Sequence, residues 1–270
     1  MRRLIDVHTH LGWFSDARLS ADGAQLCDLL RKGGITEAIS FSAEGCYGSI
    51  RSGNQYTFQE VMKHPMLRML VIAHPYHYKD TTEILESVAD HPKVVGIKIH
   101  PHLGNFHILD RNLSRLVEQE IAPRGLPILS HVANDAPNVR AADFFTLAKR
   151  FPETNFIAAH LGIGILGDSQ AALNAWCEMQ PKNVWLDMAT IRAFQTSKVE
   201  EYISVVGADR ICFGTDAPLY FPPAFTAALN SFELTEAARE QIAWRNALKA
   251  FPRLAAVQTH VAPLEEPVRI

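Results

Sequence analysis

The chain has 270 residues, 47% of them hydrophobic and 20% charged, with a formal net charge of -3. That is enough for one large α/β core, and a mildly acidic chain with no Lys/Arg run beyond Arg2-Arg3 argues against a phosphate-backbone partner. No apolar stretch is long enough to span a bilayer, and a first strand starting at Leu4 leaves no room for a targeting peptide, so a cytoplasmic location is expected.

Eight short apolar, β-rich runs follow one another, each trailed by a segment of helical periodicity. They are Leu4 to His10, Ile35 to Ser42, Arg68 to His74, Val94 to His100, Pro127 to Val132, Asn155 to His160, Val184 to Met188 and Ile211 to Thr215. This alternation predicts a single-domain (β/α)8 TIM barrel over residues 1–251, with residues 252–270 as a tail packed on the barrel or extended. The first helix is predicted from Ser20 to Lys32, ending at Gly33-Gly34. Long loops are expected after the second and fourth strands, at Ala43 to Asn54 and Pro101 to Arg111, on the side where barrel active sites lie. Four cysteines without C-x-x-C spacing argue against disulfides and zinc ribbons. Cys27, Cys177 and Cys212 read as core thiols, and Cys46 as an exposed loop thiol.

The chemistry gathers at one edge of this pattern. His8 and His10, two apart on a strand, project from one face. His74, His100, His131 and His160 stand at later strand ends, and Asp216 follows the eighth strand. Neutral imidazoles with one carboxylate suit a borderline divalent ion such as Zn²⁺, and three or four protein ligands leave a position open for water. Such an ion lowers the pKa of its water toward about 7, and an adjacent carboxylate can take the proton. Arg51 and Arg192, on loops after the second and seventh strands, are candidates for binding a substrate carboxylate. His74 and His102 have weaker claims, Trp13 and Tyr47 either wall a pocket or pack their own loops, and Asp187 reads as a structural hydrogen-bonding group.

The ordered motifs D-V-H-T-H (6–10), G-I-K-I-H-P (96–101), S-H-V (130–132), A-H-L-G (159–162) and G-T-D-A-P (214–218) resemble the amidohydrolase superfamily. The nearest branch is the single-domain one that includes aminocarboxymuconate semialdehyde decarboxylase. The resemblance spans the whole chain except the tail, and an N-terminal β-sandwich half is not expected. It implies that His8, His10, His131 and Asp216 hold the metal and that His160 is an acid/base or carbonyl-polarising group. Lys98 either faces substrate beside His100, as in the one-metal branch, or is carboxylated and bridges two ions. One Zn²⁺ is preferred, with Mn²⁺ or another divalent ion open.

The expected activity is hydrolysis of an ester, lactone or amide in a small molecule, with Asp216 as base and His160 steadying the oxyanion or protonating the leaving group. The alternatives are non-oxidative decarboxylation of an aromatic or unsaturated acid, metal-dependent nuclease chemistry, and a barrel that binds metal or ligand without turnover. The nuclease reading is disfavoured by Lys98 and by the absence of a basic groove. A small-molecule substrate, carboxylated in the second reading, is the expected partner, with no nucleic acid or membrane; a homo-oligomer is compatible with the chain.

Overall fold

The computed structural model describes residues 3–15, 17–164, 168–190 and 196–256. Eight parallel strands follow the predicted runs: β1 (Ile5–Phe14), β3 (Glu37–Ser42), β4 (Leu67–Ile72), β5 (Val94–Ile99), β6 (Ile128–Ser130), β7 (Phe156–Ala158), β8 (Val184–Asp187) and β9 (Ile211–Cys212). A short β2 (Leu19–Ala21) pairs antiparallel with the end of β1. The sheet order is β2-β1-β3-β4-β5-β6-β7-β8-β9. Helices α1 (Gly23–Lys32), α2 (Ile50–Lys63), α3 (Tyr78–Val88), α4 (Arg111–Leu116), α5 (Ala141–Arg150), α6 (Ser169–Met179) and α7 (Thr196–Val206) cross between the parallel strands, and α8 (Pro222–Ser231) follows β9. This is the (β/α)8 barrel.

Strands covered on both faces need no polar alternation, and β5 is the clearest case: Val-Val-Gly-Ile-Lys-Ile is buried throughout, Lys98 included. Gly96 is required there, because a Cβ would meet the Pro127 carbonyl oxygen at 2.8 Å.

The ring closes through a thin seam. β9 ends at Cys212, yet Val7 N donates to Phe213 O at 3.0 Å, Asp216 N to His8 O at 2.8 Å and His10 N to Ala217 O at 2.7 Å. Asp6 clips this seam from within. Its Oδ1 accepts from His8 N at 3.0 Å and Thr215 N at 3.1 Å, and its Oδ2 accepts from the Thr215 hydroxyl at 2.6 Å. Burial pushes the Asp6 carboxyl up to about 7, against the pull of these three donors.

Several local expectations are corrected. Ser20 lies in β2, and α1 starts after Asp22, whose carboxylate accepts from Gln25 N while the Gln25 side chain accepts from Asp22 N, a capping box. The expected loop from Ala43 to Asn54 is interrupted by a 3₁₀ turn at Glu44–Cys46 and by α2, capped by Ser49. Cys46 is buried, its thiol directed at the Ser42 carbonyl and pushed up to about 12 by burial, whereas Cys177 is exposed. Apart from these corrections, Arg253–Ala256 is a short helix, with Leu254 buried and Arg253 donating to the Ala89 and Arg124 carbonyls. Among the described residues no helix is long and apolar enough to cross a membrane.

Candidate metal centre

The C-terminal ends of the strands gather the chemistry, as the barrel geometry requires. His8 and His10 leave β1 on one side and are buried. His8 Nδ1 donates to Asp187 Oδ2 at 2.9 Å, which fixes the tautomer and leaves Nε2 as the free lone pair. That Nε2 lies 3.3 Å from Asp216 Oδ1, and His10 Nε2 lies 2.7 Å from the same oxygen. Phe41, paired in register with His10, walls both rings at centroid distances of 5.1 and 4.3 Å.

His8, His10 and Asp216 thus form a compact trio whose donor atoms all lie within 4.8 Å of one another. Asp216 occupies a left-handed backbone conformation, φ 64°, that aspartate tolerates better than most residues. It does not cap a helix, since α8 begins only at Pro222. His131, the fourth expected ligand, stands outside the trio and joins it through His160: His160 Nε2 is 3.1 Å from His131 Nδ1, and the His160 ring is 5.0 Å from that of His8.

The proton positions along this chain follow from one carbonyl. His160 Nδ1 lies 3.2 Å from Ala189 O, which can only accept, so Nδ1 carries the proton and Nε2 accepts from His131 Nδ1. His131 Nε2 is then left with its lone pair. His100 stacks on His131 at 4.2 Å and 11°, its Nδ1 accepting from Leu103 N. Exposed His102 lies farther out, 6.2 Å from the His131 ring.

Electrostatics match the geometry. Burial lowers all five histidines, His8, His10, His100, His131 and His160, the last to about 4, so each is a neutral imidazole at pH 7. Burial works to raise Asp216, but His8 and His10 outweigh it and hold the carboxyl well below the usual range. Neutral imidazoles around an ionised carboxylate are the donor set a divalent ion selects. The two Nε2 atoms crowded on one carboxylate oxygen fit such an ion.

Lys98 is buried on β5, with Nζ 4.5 Å from the Phe41 ring centroid and no hydrogen-bond partner among the described residues. Burial lowers its amine to about 8, opposed by Cys46, Asp187 and Asp216. Arg51 lies in the first turn of α2 and not on a loop, and its guanidinium is engaged by Asp80 at 2.8 Å and Glu83 at 2.6 Å. Arg192 lies outside the described residues. His74 is a strut between loops, with Nε2 on Gly104 O and Nδ1 accepting from Tyr76 N. Tyr47 pins the β1–β2 hairpin by donating to Trp13 O and accepting from Ser15 N.

Sequence reasoning missed Phe41 and Thr190. Phe41 had a usable signal, since it sits near the C-terminal end of a strand, two residues from Ile39 and beside the His-bearing strand. Thr190, whose hydroxyl donates to Asp216 Oδ2 at 2.5 Å, had none.

A parallel eight-stranded barrel with imidazoles and a carboxylate converging at its C-terminal mouth defines a barrel enzyme of the metal-dependent kind. Residues 5–253 match the Amidohydrolase family, and the chain belongs to it. No curated protein matches the chain significantly. Among solved structures it is similar to a dihydroxybenzoic acid decarboxylase from Polaromonas sp. JS666 with bound manganese and the inhibitor 2-nitroresorcinol, at 18% identity and TM-score 0.72, covering 93% of this chain and 97% of the other. It is also similar to 5-carboxyvanillate decarboxylase from Sphingomonas paucimobilis, at 14% identity and TM-score 0.69, covering 93% and 99%. A third is a probable 2-pyrone-4,6-dicarboxylic acid hydrolase from Acinetobacter baumannii with citric acid bound, at 12% identity and TM-score 0.69, covering 93% and 100%. At these identities the likeness is one of fold.

Proposed function

We propose that this amidohydrolase-family enzyme is a metal-dependent, non-oxidative decarboxylase of an aromatic or unsaturated carboxylic acid. The observation that carries the reading is Lys98, a buried amine with no hydrogen-bond partner among the described residues, stacked on Phe41 beside the His/Asp trio. An unengaged cation against an aromatic wall suits a planar, carboxylated substrate. The two decarboxylases of similar fold support this reading over hydrolysis, the first expectation from sequence.

In this proposal His8, His10, Asp216 and His131 hold the ion, manganese as in the Polaromonas relative or zinc as the donor types allow. The ion, when bound, supplies a positive centre that orients substrate oxygens and steadies negative charge. Lys98 and His100 bind the carboxylate and its neighbouring oxygen. The bond to the carboxyl carbon breaks, carbon dioxide leaves, and the electron pair stays on the substrate carbon. One proton per turnover, taken up from solvent by His160 and passed to the carbon, fills that position and returns the ring to its neutral form beside His131 Nδ1 at 3.1 Å. Hydrolysis is the second reading, favoured by the Acinetobacter relative; there Asp216 takes the proton of the attacking water.

Protein loaded with Mn²⁺ or Zn²⁺ is assayed for carbon dioxide release from a hydroxybenzoate panel and for cleavage of a lactone, ester and amide panel. Carbon dioxide release is expected, with one deuterium incorporated at the vacated carbon in D₂O. Cleavage of lactones without carbon dioxide release would establish the hydrolytic reading instead.

A further inference from the structure

The strip that ends β8 contributes no residue to the compact trio, yet most of its polar groups are engaged by site residues. Asp187 Oδ2 accepts from His8, Asp187 Oδ1 accepts from His160 N at 2.9 Å and Ala189 N at 3.1 Å, and Ala189 O accepts from His160 Nδ1. Thr190 is the last member. It is buried, and its backbone lies at φ 64°, a region that disfavours a β-branched residue more than almost any other. Glycine or asparagine would sit there with less strain. What threonine adds at this position is its hydroxyl, 2.5 Å from Asp216 Oδ2.

We infer that Thr190 is a positioning residue for the metal centre, holding Asp216 so that only Oδ1 faces the two Nε2 atoms. The carboxylate is ionised and accepts only, so the threonine hydroxyl donates. With Oδ2 engaged, Asp216 is a one-oxygen ligand with its plane fixed, rather than a carboxylate free to rotate between one- and two-oxygen binding. The strained backbone of Thr190 and the left-handed backbone of Asp216 meet at this single hydrogen bond. The inference rests on the metal reading of the trio but not on which reaction follows.

Three substitutions separate the hydroxyl from the strain. Thr190→Ser keeps the donor, Thr190→Val keeps the branched shape without it, and Thr190→Gly removes the donor while relaxing the backbone. Calorimetric titration of metal-free protein with Mn²⁺ alone reads the affinity, and thermal unfolding of the same samples reads the fold. Thr190→Val and Thr190→Gly are expected to bind Mn²⁺ about 10- to 100-fold more weakly, the range for losing a group that orients a ligand. Thr190→Ser is expected to stay within about threefold of the native protein, and Thr190→Gly to unfold no earlier than Thr190→Val. If Thr190→Gly binds Mn²⁺ as tightly as the native protein, the inference is overturned while the metal centre stands. If the native protein itself takes up no divalent ion, the metal reading falls and Thr190's role with it.

Discussion

Two lysines on one strand run, Lys93 half-buried and Lys98 buried, make an instructive pair. Lys93 immediately precedes β5 at the closed end of the barrel, and Lys98 lies near the other end of the same strand. Burial lowers both amines to about 8. Lys93, however, donates to three backbone carbonyls, those of Val61, His64 and Leu67, at 3.2, 2.8 and 3.1 Å, and so ties the end of α2 to the strands. Lys98 makes no such bond among the described residues. A perturbed pKa therefore marks burial, and unengaged hydrogen-bonding capacity is what distinguishes a binding group from a strut.

The strongest test of this division acts on the ligand end alone. His10→Ala is expected to drop bound divalent ion from about one per chain to near zero and to lower turnover about a thousandfold, the equivalent of losing several kcal/mol of charge stabilisation. The metal-free variant should still unfold in one cooperative transition, so that loss of the ion reads as loss of a ligand and not of the fold. A variant that keeps its ion would remove His10 from the ligand set.

The pair itself is broken next. Lys98→Met is expected to lower kcat/KM for a carboxylated substrate about 10- to 100-fold, the loss of a charged hydrogen bond, with Tm unchanged or raised because a buried amine has been removed. Lys93→Met is expected to do the reverse, losing about 2 kcal/mol and thus about 4–8 °C in Tm, with kcat/KM per folded molecule intact. Equal effects of the two substitutions on either measurement would erase the distinction.

The mildest probe is pH. Lys98, lowered to about 8, is charged below that value and neutral above it, so capture of an anionic substrate is present below pH 8 and lost above. A plot of kcat/KM is expected to be level below about 8 and to fall about tenfold per unit beyond. In Lys98→Arg the amine limb should disappear, because a guanidinium stays charged.

The parts legible in the sequence are those carried by local pattern. Strands buried on both faces read as apolar runs, and a histidine at or next to the end of five of the eight runs interrupts that pattern at the same place. His8 and His10 stood out this way, Asp216 by its place just after the eighth strand, and the three converge. The β1–β2 hairpin escaped because Gly12, at φ 88°, lies inside a strand and β2 is only three residues long, with Ser20 mimicking a cap. Arg51 was placed on a loop because Gly48, Gly53 and Asn54 look like loop residues. Gly53 is in fact demanded by packing, since a Cβ there would meet Gly45 at 2.9 Å, and Asn54 is buried, bonded in both directions to Ile72. Thr190 with Asp216, Asp187 with His8 and Asp6 with Thr215 are contacts 26, 179 and 209 residues apart. No local periodicity encodes such pairings.

The seam clipped by Asp6 bears on assembly as well as on chemistry. The trio joins residues from the first strand to one beyond the last, so it comes into being only when the two ends of the sheet meet. Ion uptake is thereby a report of ring closure, and a partly folded barrel open at this seam has no trio to offer. An ion held there would act as a clasp on the slowest kind of contact, one between distant segments. It would add about 1.4 kcal/mol of stability for every tenfold excess over its dissociation constant.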